Sequence, residues 1–210
     1  MLSFKYSVCS INPKIYKRNR IRIIMQKQNR DLITLYAKAV VLANKRHEGQ
    51  IRRVSGEPYF MHPLRVSERV GTTFEKHKNI DVLRITAILH DLLEDTQTTE
   101  QELSETFGKE ITTLVKELSE NKKLPRWEAH KEFLERLNAT KEDVKLIKLC
   151  DIQDNLDTID GNISWQGFLQ RSKEILENMT VTGEDYKDIF ELQKKNTLHK
   201  INQELQKRTE

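Results

Sequence analysis

His90 and Asp91 stand side by side in this chain, and Glu94 and Asp95 follow within about one helical turn. Residues four apart share a helix face, so a helix here would stack His90 over Glu94 and Asp91 over Asp95. Val82, Ile85, Ile88, Leu89, Leu92 and Leu93 recur at helical spacing around them, which predicts one helix over about residues 81–95 with the polar group beside a buried face. Three carboxylates and an imidazole crowded there would repel one another and lose solvation. A bound divalent cation resolves that conflict, and the chemistry it would serve is metal-assisted hydrolysis.

A second polar intrusion lies further on. In the run Val144 to Leu156, helical spacing aligns Val144, Ile147, Asp151 and Asn155 in one stripe, so Asp151 takes an apolar position. A lone buried carboxylate needs an arginine, a helix N-terminus or a metal, and a buried salt bridge satisfies it as well as a cation does. His62, just before Pro63, reads on its own as a loop histidine. His47, His77, His130 and His199 read as surface or packing residues. Lys45, Arg46, Arg52 and Arg53 read as a solvated basic patch.

The elements that must position these residues are helical. A helix is expected from Asp31, as N-cap, to Arg46, with Leu32, Leu35, Ala39, Leu42 and Ala43 on one face. His47 to Pro63 reads as a loop, long enough to suggest function. Pro63 suits the first turn of a helix reaching Val70. Thr98 or Thr99 caps the next helix, Gly108 ends it, and another carries Ile111, Leu114, Val115 and Leu118. Pro125 starts a helix through Trp127, Phe133 and Leu137. Thr140 with Asp143 resembles a capping signal for a helix ending near Ile159. Ser164–Met179 and Gly183 to about Lys207 are the last two, with Leu192, Leu198 and Leu205 on the final one. The periodicity shows no repeat and no convincing strand, so the fold class is all-α, of roughly eight to ten helices.

Composition bounds the function classes. No apolar run approaches the ~18 residues of a membrane span. Two cysteines, Cys9 and Cys150, cannot build a disulfide framework, so a reducing cytoplasm is the default. The net charge of +4 arises in residues 1–30, which hold eight Lys or Arg and no acid; the other 180 hold 28 basic and 32 acidic groups, net −4. The body is therefore no nucleic-acid surface by charge. The stretch Lys14 to Arg22 fits a basic arm or a targeting segment, but the simpler expectation is a start at Met25, with residues 1–24 an extension that is disordered or not native. Residues 25–160 would then form the core and 161–210 helices packed on it.

The order His62, His90-Asp91, Asp151 resembles the HD superfamily of metal-dependent phosphohydrolases, whose pattern is H…HD…D. Flanking residues sharpen the resemblance. The run from His47 through Gly49, Gln50 and Arg52 to Ser55-Gly56-Glu57-Pro58-Tyr59 and His62-Pro63 looks like the "HxGQxR…SGEPYxxHP" signature of the RelA/SpoT hydrolase domain. Leu89 to Thr96 looks like its "LHDxxEDT", Phe107-Gly108 with Ile111 and Val115 like "FGxEIxxLV", and Ile147 to Leu156 like "vKlADxxhNl". The match spans about residues 31–160, and with no room after it for a nucleotide-synthesising domain the chain most resembles the stand-alone small alarmone hydrolases.

That resemblance implies an HD-type helical bundle that hydrolyses (p)ppGpp at the 3′ position to GDP or GTP plus pyrophosphate, usually with manganese. It implies His62, His90, Asp91 and Asp151 as metal ligands, and Glu94 and Asp95 as residues that orient or deprotonate water. Arg52 would pack on the guanine, with Arg53 a competing assignment, and Ser55, Asn155 and Thr158 would touch the nucleotide. Two departures stand out: Cys150 replaces the usual Ala, and Asp154 replaces a frequent His, which alters the charge behind the ligands. The other readings are an HD phosphohydrolase acting on an adenosine alarmone or NADPH, and a non-catalytic nucleotide sensor. The expected partner is a guanine-nucleotide alarmone; nucleic acid and membrane are not expected, and a homo-oligomer is compatible with the sequence.

Overall fold

The computed structural model describes residues 31–159 and 165–208. The basic stretch Lys14 to Arg22, Met25 and Cys9 lie outside them. Helices account for the architecture, and the expected all-α class holds: among the described residues the backbone pairs laterally only at an isolated bridge between Ile51 and Pro58. The elements are α1 (31–46), α2 (Met61–Thr73), α3 (Ile80–Leu89), α4 (Leu92–Asp95), α5 (Glu100–Leu118), α6 (Arg126–Ala139), α7 (Glu142–Asp157), α8 (Gln166–Asn178) and α9 (Lys187–Gln206).

Two apolar clusters share α3 and α5. Leu83 and Ala87 of α3, with Leu114 and Leu118 of α5, join Val66, Val70, Phe133, Ile147 and Leu149 in one. Ile85, Ile88 and Leu89, with Leu103, Phe107, Ile111 and Val115, pack against Ala39 and Ala43 of α1 in the other. A helix apolar around most of its circumference is a buried one, which is why α3 fills the middle. Each fully buried Leu, Ile or Phe contributes about 1.5–3 kcal/mol relative to exposure. α8 and α9 complete the first cluster through Leu169, Ile175, Leu176, Phe190 and Ile201, and Leu198 and Leu205 pack against it. Leu192 remains exposed.

The structure corrects three local expectations. The 81–95 helix is interrupted: α3 ends at Leu89 and α4 begins at Leu92, with Asp91 at φ −90° and ψ −5° between them. That bridge-region backbone is common among active-site residues, and it interrupts the helix while the Asp95 amide still donates to the Asp91 carbonyl at 2.7 Å. The Thr140 capping signal does not operate either. Thr140 is the extended residue ending α6, and Lys141, with no side-chain cap, precedes α7. Asp31 is already helical, so it is not the extended residue that an N-cap requires. Other punctuation is as expected. Thr99 caps α5 by accepting from the Glu102 amide at 3.2 Å. Gly108 kinks α5 with φ +83°, a left-handed backbone that glycine adopts without Cβ strain.

Candidate active site

α2 packs against both α3 and α7, and α3 touches α7. Each of these three helices delivers one polar residue to the seam where they meet. His62 lies in the first turn of α2, His90 at the end of α3 and Asp151 in the middle of α7. Their donor atoms all fall within 4.8 Å of one another, and all three residues are buried. Asp91 closes the group: its carboxylate lies 3.1 Å from His90 Nε2 and 3.7 Å from His62 Nε2. Asp151 Oδ1 lies 3.1 Å from His62 Nε2 and 3.7 Å from His90 Nε2.

Both imidazoles are held by their far nitrogens. His90 Nδ1 lies 2.8 Å from the Ala87 carbonyl oxygen, which only accepts, so Nδ1 carries a proton and Nε2 faces the cluster. His62 Nδ1 lies 2.7 Å from Asp154 Oδ2, with the same consequence. His90 Nε2 is buried without a hydrogen-bond partner. Two inward-facing nitrogens, one of them orphaned, with two carboxylates at their side, fit a divalent cation of borderline or hard character.

The electrostatics agree. Burial alone would lower the pKa of His90, but the charges of Asp91 and Asp151 outweigh it and raise the group to about 9. His62 moves in the same direction, burial again opposing and Asp151 and Asp154 prevailing. Against the penalty of burial, the imidazoles and Lys148 hold Asp151 well below the carboxylate range, and His90 and His62 lower Asp91. A divalent cation would meet the same carboxylate charge that raises both imidazoles.

Glu94 and Asp95 stand beside this cluster with different partners. Glu94 Oε2 accepts from the Glu120 amide at 3.0 Å, and burial raises its pKa. Asp95 Oδ2 accepts from the Tyr59 hydroxyl at 3.1 Å, the same hydroxyl that donates to Asp91 at 2.8 Å, and its other oxygen pairs with Lys122. The expected Asp91–Asp95 stripe therefore exists, bridged by a tyrosine. Tyr59 is itself packed on His47, ring centroids 4.8 Å apart.

A cleft of about 530 Å³ opens over the cluster. His62, Asp91, Glu94, Asp95, Asp151 and Asn155 line its acidic side, while Lys122, Arg126 and Arg171 bring cations from the 119–125 loop, α6 and α8. Burial and the neighbouring Arg126 both press the Arg171 pKa down, a tension that an anion between the guanidinium groups would relieve. Phe168, Ile152 and Ile175 add apolar wall. Arg52 donates to the Thr158 hydroxyl at 2.7 Å, and its guanidinium lies 6.0 Å from the centre of the Tyr59 ring. Asn155 donates to Asp151 Oδ1 at 2.8 Å, so it braces the carboxylate as well as lining the cleft. Arg53 and Ser55 are exposed on the 51–58 hairpin and are not among the lining residues.

Several contributors escaped the sequence reading. Lys148, whose ammonium donates to Asp151 at 2.9 Å, and Arg65, which donates to Asp154 at 2.7 Å, sit three residues from Asp151 and His62 on their helices, a readable spacing. Arg126 and Arg171 come from distant elements and no local pattern announces them. His130 is also more than a packing residue: Glu174 lies 3.1 Å and Glu120 4.0 Å from its ring nitrogens.

Comparisons with known proteins bear on this arrangement. A family model described as "HD domain" matches residues 39–171. A protein of Mycoplasma pneumoniae named "Probable guanosine-3′,5′-bis(diphosphate) 3′-pyrophosphohydrolase" is 38% identical over 141 residues, covering 65% of this chain and 17% of its own length. One of Aquifex aeolicus, named "Guanosine-3′,5′-bis(diphosphate) 3′-pyrophosphohydrolase", is 37% identical over 125 residues, covering 58% and 17%. The chain thus spans about a sixth of the length of these curated relatives. A solved structure described as "A metazoan ortholog of SpoT hydrolyzes ppGpp and plays a role in starvation responses" superposes with a TM-score of 0.65 at 24% identity, covering 77% of this chain and 94% of that one. The structure of lmo0812 from Listeria monocytogenes gives 0.58 at 22%, covering 73% and 99%. These likenesses establish the same helical fold.

Proposed function

The chain belongs to the HD-domain family, and from that premise we propose that it is a metal-dependent (p)ppGpp 3′-pyrophosphohydrolase. The observation that carries the reading is the convergence of His62, His90, Asp91 and Asp151 on one point at the acidic side of a cleft whose other walls hold Lys122, Arg126 and Arg171. A doubly pyrophosphorylated nucleotide needs such a divided site, a metal for the group that reacts and fixed cations for the group that does not. The relatives named above as 3′-pyrophosphohydrolases support that choice of nucleotide. We assign the metal as manganese and the setting as cytoplasmic, the setting in keeping with a buried free thiol at Cys150.

When bound, the metal would polarise the phosphoryl oxygen and increase the acidity of water at the site. Glu94 is the group that receives the water proton: burial raises its pKa toward the range of a useful base, and the Glu120 amide fixes its orientation. Asp95 orients the same water from the Tyr59–Lys122 pair. Lys148, half-buried against Asp151, adds fixed positive charge where negative charge accumulates on the phosphorus oxygens. Arg52, close to Tyr59 and tied to Thr158, presents a flat guanidinium for the base, and Asn155 borders the sugar. Arg53 and Ser55 would reach nucleotide only from the hairpin surface.

The test is product analysis in ¹⁸O-labelled water. The native protein with Mn²⁺ should turn ppGpp into GDP and pyrophosphate with the label in pyrophosphate, and Asp91→Ala should not. Metal-loaded protein that leaves ppGpp intact would refute the substrate.

A further inference from the structure

A row of charged side chains runs behind the metal cluster, away from the cleft. Asp154 of α7 is only 1% exposed, a costly place for a carboxylate unless its oxygens are occupied. They are. Oδ2 accepts from His62 Nδ1 at 2.7 Å, Oδ1 accepts from Arg65 Nε at 2.7 Å, and Arg65 Nη2 reaches Oδ2 at 3.1 Å. Arg65 is in turn gripped by Glu57, at 2.9 and 2.7 Å. Glu57 belongs to the 51–58 hairpin, where its carbonyl accepts from the Arg52 amide at 2.9 Å.

The two histidines are thus set by unlike devices. The carbonyl that holds His90 is part of α3 and carries no net charge. The carboxylate that holds His62 comes from another helix and is itself oriented by a bidentate guanidinium. Asp154 stands where the family this chain resembles frequently has His. A histidine there would offer Arg65 no negative charge and would leave it Glu57 alone.

We propose that Asp154, locked by Arg65 and buttressed by Glu57, is a positioning residue that holds His62 with Nε2 aimed at the metal and makes that imidazole a stronger ligand. The proposal rests on the metal centre described above but not on the identity of the substrate.

Its test is calorimetric titration of the metal-free full chain with Mn²⁺, with no nucleotide present. Asp154→Asn keeps the shape and an acceptor for His62 but removes the charge; it should weaken Mn²⁺ binding roughly 10- to 100-fold, the range for partners of metal-bound histidines. Arg65→Met leaves the carboxylate but frees it to turn, and should weaken binding by roughly 3- to 10-fold by the same logic. Ring ¹⁵N spectra of Zn²⁺-loaded protein should show His62 bound through Nε2 in the native chain and a mixture of both nitrogens in Asp154→Asn. A folded Asp154→Asn protein that binds Mn²⁺ within twofold of native and keeps the native His62 spectrum would overturn the proposal. Should that variant fail to fold, Arg65→Met decides: native affinity there overturns it. A protein that binds Mn²⁺ but does not hydrolyse ppGpp would refute the substrate and leave this test intact.

Discussion

Acidification should strip the metal from this site long before it unfolds the chain. His90 is the governing group. In the metal-free protein its pKa stands at about 9, because the charges of Asp91 and Asp151 outweigh the burial that opposes protonation. A metal must displace that proton. At neutral pH the displacement spans about two pH units and costs about 2.7 kcal/mol, a hundredfold in apparent affinity. His62, also raised, adds to the slope. Mn²⁺ affinity should therefore climb at least roughly tenfold per pH unit between about pH 6 and pH 8. Stability of the metal-free protein runs the other way. Protonated His90 contributes fully below its ordinary pKa of 6.5, and the contribution is lost as pH rises through about 9. The gap in melting temperature between metal-bound and metal-free protein should widen with pH. Titrations in buffers of different ionisation enthalpy count the protons directly: one to two should leave per metal near pH 7. Affinity flat across this range, with no proton release, would refute the assignment of the two histidines as ligands.

Glu94→Gln should lower kcat by about 10²- to 10⁴-fold, the usual worth of a general base, while Mn²⁺ affinity by calorimetry stays within a few-fold. Glu142 tests the packing of the C-terminal helices. Burial works against its charge, but bonds from Tyr186, Thr182 and the Gly183 amide hold it down to about 2. Its stabilisation is present above its ordinary pKa of 4.5 and is lost as pH falls through about 2. Glu142→Gln should cost about 1 kcal/mol in urea melts near neutrality, once solvent screening is counted, and the gap to native should close in strong acid. Gly108→Ala forces a Cβ into backbone at φ +83° and ψ 165°, a region essentially reserved for glycine, and should cost about 1–3 kcal/mol by the same melts.

Much of the site was readable because its residues carry local signals. The dyad intrudes on an apolar pattern, Asp151 interrupts an apolar stripe, and His90 and Asp151 lie buried beside His62. The Gly108 kink and the Thr99 cap were readable for the same reason: each satisfies a backbone need visible within a few residues. The break between α3 and α4 was not, since Ile88, Leu89, Leu92 and Leu93 suit a continuous helix and nothing local marks the turn at Asp91. The role of Asp154 was glimpsed as a changed charge; Arg65's spacing from His62 on α2 was readable, but its pairing with Asp154 on α7 was not, because no pattern in one helix states which residue faces it on another. Arg126 and Arg171 meet at the cleft only because α6 and α8 pack together.

The central claim is that four side chains from three converging segments hold one metal. Anomalous diffraction at the manganese edge, from crystals grown with Mn²⁺, tests it most directly. The account requires a single strong peak within bonding distance of His62 Nε2, His90 Nε2 and the carboxylates of Asp91 and Asp151. A site empty at saturating Mn²⁺, or a peak held by other residues, would contradict it.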